Sequence, residues 1–274
     1  MGVFDIDRKP LIKEKVRVCA FNVGNFADGG SGTPEGTDEL YNKFVDTFMA
    51  CHADIYMCPE WDIHWNNNEL SADVFRFLKP YHSTFCRADD NHQTYMGLMT
   101  YSAYEIMNEY YEWYTIDQYR YFIDNTIKIN GKSVHFICVH FRLDTKANAM
   151  QEMQQVINYI SNNNIASYII GGDMNLGLGS DVTGGWDGRR AAALDEIELL
   201  TSLGGHSVQG SGWGLKDKDF LFNTVGHTGR YRTESGGLGH YDNLIVSPDI
   251  KIDNMELVIT EASDHDALCV DLIV

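Results

Sequence analysis

Three acidic residues of this chain stand beside short apolar runs, where a buried core would not favour them. They are Glu60, Asp173 and Asp264. Their carboxylate oxygens are hard donors, which suit Mg²⁺ or Mn²⁺ better than zinc. A cation of that kind polarises a phosphoryl oxygen and offsets the charge that develops when a phosphoester is hydrolysed. These residues therefore predict a divalent metal site that serves phosphoester chemistry.

Two histidines and two asparagines occupy similar positions. An unperturbed imidazole titrates near neutral pH, so His140 or His265 could exchange a proton or donate to a phosphate oxygen. Asp242 could accept a hydrogen bond from His265 and fix its tautomer. Asn22 and Asn175 bring amides that orient an oxygen without adding charge. Each residue alone has a structural explanation, such as a turn or a solvated strand end. Their joint order favours one shared site.

Short apolar runs and amphipathic segments alternate along the chain, and they are the elements that must position these residues. Strands are predicted at 16–23, 54–58, 95–100, 119–129, 133–140, 165–170, 220–225, 241–247, 256–260 and 267–273. Helices are predicted at 37–52, 145–160 and 191–203. Asn130-Gly131 between two apolar runs is typical of a hairpin turn. Polar residues that end several strands of one sheet can meet at its edge.

The composition excludes several protein classes. A chain of 274 residues, of which 44% are hydrophobic, can bury a sizeable core. The net charge of −18 argues against a protein that grips nucleic acid mainly through a basic surface. It permits a phosphoester substrate, because a bound cation can supply local positive charge. No apolar run reaches the ~18 residues of a transmembrane helix. No signal peptide is visible, so a cytoplasmic location is expected.

The cysteine pattern and the absence of linkers indicate how the chain is organised into domains and whether it holds a zinc site. None of the six cysteines forms a C-x-x-C pair, so a zinc site is not expected. Most lie in apolar runs and are interpreted as small buried hydrophobes in a reducing compartment. No linker or composition shift divides the chain. Residues 1–15 are expected to form an N-terminal extension, and residues 16–274 one domain.

Taken in order, these motifs resemble those of the endonuclease/exonuclease/phosphatase superfamily, whose fold is that of pancreatic deoxyribonuclease. The segments that carry the resemblance are AFNVGNF (20–26), ADIYMCPEWD (53–62), YMGLMTYSAYEI (95–106), VHFICVHFRLD (134–144), IIGGDMNLG (169–177), GHYDNLIVSP (239–248) and SDHDAL (263–268). The last three are the most specific. The resemblance covers nearly the whole chain and implies an α/β fold of the α+β type. That fold is a four-layer, DNase I-like α/β sandwich, with two mixed β-sheets face to face and helices outside.

The resemblance also implies metal-dependent hydrolysis of a phosphoester by in-line attack of water. Glu60 resembles the principal metal ligand of that family, and Asn22 and Asp264 resemble its helpers in the metal shell. Asp173 resembles the residue that orients or activates the attacking water. Asn175 resembles its partner on the phosphate.

Two histidines and two departures distinguish branches of the family. His265, oriented by Asp242, resembles the histidine that contacts the scissile phosphate. His140 resembles the second catalytic histidine of the deoxyribonuclease and sphingomyelinase branches, whereas the abasic-site branch usually has tyrosine. Gly24 stands where some branches carry a polar metal helper. Trp61 stands where a DNA minor-groove reader could offer arginine. The number of metal ions and the substrate therefore stay open.

Four residues are candidates for substrate contacts: Arg142, Arg189, Trp186 and Tyr231. The arginines could bind phosphate and the aromatic rings could stack on bases, although Trp186 could instead anchor its loop by packing. The expected function is a Mg²⁺- or Mn²⁺-dependent nuclease or phosphodiesterase, with nucleic acid as a candidate substrate. The alternative is a lipid or small-molecule phosphatase or a sphingomyelinase-like phosphodiesterase. A catalytically inactive binding module is less favoured, because all principal family positions are filled.

Overall fold

The computed structural model describes residues 15–24, 38–62, 82–86, 96–116, 120–208, 229–230, 238–239 and 241–274. The helices are α1 (Asp38–Cys51), α2 (Lys146–Asn162) and α3 (Gly185–Leu200). The strands are β1 (Val16–Ala20), β2 (Ile55–Asp62), β3 (His82–Cys86), β4 (Met96–Ser102), β5 (Ile106–Trp113), β6 (Tyr121–Ile129), β7 (Lys132–His140), β8 (Tyr168–Asp173), β9 (His206–Ser207), β10 (Gly229–Arg230), β11 (Leu238–Gly239), β12 (Asp242–Val246), β13 (Lys251–Val258) and β14 (Ala267–Ile273). Among the helices of these ranges, none combines the length and the apolar character that crossing a bilayer requires.

The strands form two six-stranded sheets and one short ribbon. The first sheet has the order β13-β14-β1-β2-β4-β3, and the second has the order β5-β6-β7-β8-β12-β9. Strands β1 and β2 run parallel in the first sheet, and β7 and β8 run parallel in the second. The other neighbours are antiparallel, so both sheets are mixed. Strands β10 and β11 pair separately.

Apolar side chains fill three interfaces between four layers. Met57 of the first sheet and Phe136 of the second belong to the cluster between the sheets. Phe48 of α1 packs on the outer face of the first sheet. Met153 of α2 and Ile197 of α3 pack on the outer face of the second sheet. The order helix, sheet, sheet, helix confirms the predicted four-layer α/β sandwich.

Local signals placed several elements close to their observed positions. The turn between β6 and β7 is Asn130-Gly131, with φ angles of 51° and 89°. Positive φ at both central residues matches the right-handed twist of a hairpin. Thr145 caps α2, because its side-chain oxygen accepts the backbone N–H of Asn148 at 3.1 Å.

Other elements differ from the prediction. Strand β5 was not predicted, because most of its side chains are exposed at the sheet edge and no apolar face marks it. Strand β3 was not predicted either. Helix α3 begins at Gly185 rather than at the predicted residue 191, because glycine is a weak helix former and the glycines of its first turn give no helical signal. The strand predicted at 220–225 lies outside the described residues.

Candidate active site

Glu60 lies within β2 rather than beyond its end. The pairing of β2 with β4 shifts register between Pro59 and Trp61, and Glu60 has a φ of 57°. That left-handed conformation is uncommon for a residue with a side chain. A β-bulge of this kind re-aims one side chain of a strand, and bulges are frequent beside active sites. The strand predicted at 54–58 thus continues to Asp62, and the bulge places the Glu60 carboxylate near the second sheet.

Asn22 follows β1 and joins the acidic residues of the two sheets. It is fully buried. Its side-chain N–H group donates to Glu60 Oε1 at 3.0 Å and to Asp173 Oδ2 at 2.9 Å. Its Oδ1 accepts the backbone N–H of Gly24 at 2.8 Å. In this arrangement the amide nitrogen faces the carboxylates, so Asn22 orients both of them.

Asp173 is the last residue of β8 and reaches the site because a glycine precedes it. A Cβ atom on Gly172 would lie 2.2 Å from the carbonyl oxygen of Val139 and 3.1 Å from the side chain of Pro59. Pro59 belongs to the first sheet. The missing side chain lets the two sheets approach closely at this point, so Asp173 and Glu60 face each other across their junction.

His265 and Asp242 form a buried pair. Nδ1 of His265 lies 2.6 Å from Oδ2 of Asp242, which has no exposed surface. Asp242 opens β12 and is the register partner of Asp173. Nε2 of His265 lies 3.8 Å from Asp173 Oδ2. Because Asp242 engages Nδ1, the nitrogen that faces the acidic cluster is Nε2.

His140 closes the other side of the group. It is the last residue of β7 and the register partner of Asp173. Its Nε2 lies 3.6 Å from Glu60 Oε1 and 3.6 Å from Asp173 Oδ2. One ligand atom from each of these three residues lies within 4.8 Å of the other two, which is close enough for all three to hold one metal ion. Geometry therefore admits His140 as a ligand as well as a catalytic group.

Asp264 and Asn175 lie at the margin of this group. Asp264 is partly exposed and is not among the atoms that lie within 4.8 Å of one another. The backbone N–H of Asn175 donates to Asp173 Oδ1 at 2.9 Å, and its side-chain N–H donates to the carbonyl of Phe141 at 2.7 Å. The Asn175 amide thus holds the turn after β8 in this arrangement.

Burial and like charges shape the titration of the site. Burial first, and then the charges of Asp173 and Asp264, raise the pKa of Glu60 to about 7 in the absence of a cation. Burial and the charge of Asp173 also raise the pKa of Asp264. Burial alone would lower the pKa of His265, but the charges of Asp242 and Asp173 raise it well above its usual value. A divalent cation would relieve the repulsion between these carboxylates, so the donor set fits a hard metal ion.

Two residues that contact the site were not among the candidates predicted from the sequence. The Ser263 hydroxyl donates to the carbonyl of Asn22 at 2.9 Å and accepts the backbone N–H of His265 at 3.2 Å. Arg120 Nη1 donates to the carbonyl of His140 at 3.3 Å. Burial and the Arg120 charge lower the pKa of His140 to about 3. Ser263 directly precedes Asp264 and His265 in the segment SDHDAL, so the sequence could have indicated it. Arg120 lies close to His140 only because β6 pairs with β7, and no local sequence pattern indicates that contact.

The residues predicted to contact substrate are dispersed. The side chain of Arg142 donates from Nε to Asp144 Oδ1 at 2.6 Å, so its charge is already engaged. Arg189 is exposed in the first turns of α3, where Trp186 also lies. The side chain of Trp186 and the whole of Tyr231 lie outside the described residues. None of these four is placed in the acidic group by the part of the chain that is described.

Solved structures match the chain over nearly its whole length. An endonuclease/exonuclease/phosphatase from Beutenbergia cavernae has a TM-score of 0.67 at 14% identity, covering 96% of this chain and 72% of that chain. One from Bacteroides vulgatus has a TM-score of 0.67 at 17% identity, covering 95% of this chain and 99% of that chain. Truncated TDP2 from Caenorhabditis elegans has a TM-score of 0.65 at 15% identity, covering 95% and 98%. The fold is that of the endonuclease/exonuclease/phosphatase superfamily.

No family model and no curated protein matches the sequence. At identities of 14% to 17%, the structural likeness establishes the endonuclease/exonuclease/phosphatase fold and nothing finer. In this fold, the candidate site occupies the junction of the two sheets, where β2, β7, β8 and β12 each contribute one residue of the group.

Proposed function

We propose that the protein is a phosphoester hydrolase that depends on Mg²⁺ or Mn²⁺ and acts on phosphodiesters. The observation that carries this proposal is the convergence of Glu60, Asp173 and His140 beside the buried His265–Asp242 pair. Bringing buried carboxylates together costs free energy unless a cation or a proton compensates them. An arrangement that costs stability and gathers acid, base and metal donors is typical of a catalytic site.

Glu60 and Asp173 would hold the cation, with Asp264 near enough to add to the negative charge around it. When bound, the cation supplies positive charge that polarises a phosphoryl oxygen. The two hydrogen bonds from the Asn22 amide keep both carboxylates aimed into the site. Asn22 is therefore assigned a positioning role instead of the direct role in the metal shell that the resemblance implies.

The same residues supply the proton chemistry. Asp173 Oδ2 lies between the two histidines and can orient an attacking water by accepting its hydrogen. The raised pKa of His265 favours the protonated ring, in which Nε2 can donate to a phosphate oxygen. His140 is neutral and can accept or donate one hydrogen bond at the opposite side. Asn175 steadies the turn that carries Asp173.

A small phosphoester is the second candidate substrate. The net charge of −18 opposes the approach of a long polyanion, and Arg142 is paired with Asp144. These observations are the reason for keeping a lipid head group or a small-molecule ester as an alternative to nucleic acid. The two-histidine site resembles that of the deoxyribonuclease and sphingomyelinase branches, which favours a diester over a monoester.

Three substrates separate these possibilities. Purified protein would be incubated with bis-p-nitrophenyl phosphate, p-nitrophenyl phosphate or supercoiled plasmid, each with Mg²⁺, Mn²⁺ or EDTA. We expect metal-dependent release of nitrophenol from the diester. Plasmid nicking in addition would support a nuclease, and preference for the monoester would support a phosphatase. Absence of hydrolysis in all three assays, or hydrolysis that persists in EDTA and in the His265→Ala variant, would overturn the proposal.

A further inference from the structure

A second group of metal-ligating side chains lies between α1 and the first sheet. Cys19 of β1, Cys51 at the end of α1 and Cys269 of β14 are fully buried and free. Their sulfur atoms all lie within 4.8 Å of one another. Cys19 and Cys269 are direct partners in the antiparallel ladder of β1 and β14. These three cysteines are buried and free, as expected. Because they are far apart in the sequence, no local pattern predicts that they cluster.

We propose that Cys19, Cys51 and Cys269 bind one monovalent copper ion. Three sulfurs that each lie ~2.3 Å from one ion are about 4 Å apart in a trigonal plane, which fits the observed spacing. Thiolates are soft ligands and select Cu(I). Among the described residues, no fourth His, Cys, Asp or Glu atom joins the group within the same distance. Structural zinc sites almost always have four ligands, so a three-sulfur site favours copper.

The charge around the cluster suits such an ion. The Arg17 guanidinium lies beside the cluster. Arg17 also donates from Nε to the carbonyl of Cys51 at 2.7 Å. Binding of Cu⁺ would displace the thiol protons of Cys19, Cys51 and Cys269 to solvent, without any transfer of electrons. The Arg17 guanidinium would offset part of the negative charge of the resulting thiolate complex.

Arg17 also marks the route to solvent. Its side chain is 17% exposed, and its guanidinium pairs with Asp271 and Glu256 at the surface of the first sheet. Surface ion pairs of this kind contribute little stability and exchange readily with water. Arg17 therefore connects the Cys51 end of the cluster with the surface of the first sheet.

A competition titration tests the proposal. Reduced protein would be titrated under anaerobic conditions with Cu(I) held by the chromogenic chelator bathocuproine disulfonate. We expect one copper per chain to leave the chelator, a thiolate-to-copper absorption band to appear, and the thermal midpoint to rise. Cys51→Ser should weaken binding by more than ~100-fold, because loss of a ligand exceeds the loss caused by outer-shell changes. Cys58→Ser is the matched control, since Cys58 is equally buried in the same apolar cluster.

A second measurement keeps the test decisive if Cys51→Ser does not fold. X-ray absorption at the copper edge of the wild-type complex should show three sulfur neighbours. Copper bound through nitrogen, equal copper retention by a folded Cys51→Ser variant, or no copper retained by the wild type would overturn the proposal. None of these readouts uses phosphoester hydrolysis, so the result is independent of the function proposed above.

Discussion

A carboxylate that is hydrogen-bonded to one ring nitrogen of a histidine determines the protonation and the orientation of the other ring nitrogen. Asp242 holds Nδ1 of His265 and raises its pKa, which leaves a protonated Nε2 facing Asp173. On the outer face of the second sheet, Asp124 holds His135 Nδ1 at 2.7 Å in the same manner. Only the first pair borders the acidic group. Residue identity alone therefore does not define the site; its neighbours do.

We expect Asp242→Asn to lower the pKa of His265 toward its usual range, because the change removes the charge and keeps the shape. Hydrolysis at neutral pH should fall by about 10²–10⁴-fold, the size of a typical general-acid contribution. NMR titration of the His265 ring and steady-state rates measure the two effects. Asp124→Asn is the matched control and should leave the rate unchanged. The double variant with His265→Ala should be no slower than His265→Ala alone; additive losses would contradict the pairing.

We expect Glu60→Gln to reduce Mg²⁺ affinity and to lower the rate by orders of magnitude while the fold survives. Burial of this carboxylate raises its pKa and makes its ionised form costly, so its removal should not destabilise the core. Calorimetric Mg²⁺ titration and thermal unfolding check both parts. Glu109→Gln, on the exposed edge strand, serves as the control. An unchanged Mg²⁺ requirement would count against Glu60 as a ligand.

At the level of secondary structure, two irregular features bring the acidic residues of the sheets together. The bulge at Glu60 turns a carboxylate out of the regular alternation of β2. Gly172, with a φ of 129°, lets β8 pass close to β7 and β2. A regular strand with ordinary residues at both positions would keep the sheets apart at their junction. The site therefore depends on departures from regular strand geometry.

We expect Gly172→Ala to be more destabilising than Gly131→Ala, although both glycines have positive φ. Conformational strain alone costs about 1–3 kcal/mol. A Cβ on Gly131 meets nothing within 4 Å, whereas one on Gly172 would clash with the Val139 carbonyl. In urea unfolding, Gly172→Ala should lose at least about twice as much free energy of unfolding as Gly131→Ala. Gly172→Ala should also hydrolyse the substrate more slowly. Equal losses for the two variants would show that close packing of the sheets is not what requires this glycine.

At the level of the whole molecule, buried acids make stability depend on pH. Glu196 of α3 is fully buried and accepts the backbone N–H of Gly177 at 2.7 Å. Burial, partly opposed by that hydrogen bond, raises its pKa from 4.5 to about 8. The folded protein therefore holds this proton more tightly than the unfolded chain. The stability that it contributes is complete below about pH 4.5 and is lost as pH rises through about 8.

We expect Glu196→Gln to flatten this decline, because glutamine stays neutral and can still accept the Gly177 N–H. The wild type should lose up to roughly 1.4 kcal/mol of unfolding free energy per pH unit relative to the variant between pH 5 and 8. Urea unfolding at several pH values measures the difference. Glu198→Gln, exposed on the same helix, should follow the wild type. Parallel curves for the wild type and Glu196→Gln would exclude this carboxyl group as the cause.

Different parts of the molecule were predictable to different degrees. The β6–β7 hairpin, α2 and β14 follow from local periodicity and from the cap and turn residues, so their bounds were predicted within a few residues. Strand β5 at the exposed edge was not, because it has no apolar face to signal it. The contact of Arg120 with His140 depends on the pairing of two strands, and no local pattern marks it.

The order of residue types along the chain determined many of the helices and strands, the acidic and histidine donors available, and the phosphoester chemistry that such donors suit. The tertiary structure decided which donors come together: Glu60, Asp173 and His140 in one group, with Asp264 at its margin. It also decided that three distant cysteines meet. The physical reason is that local patterns depend on neighbours a few residues apart, whereas distances between remote side chains depend on strand register, on a bulge and on how closely two sheets can pack.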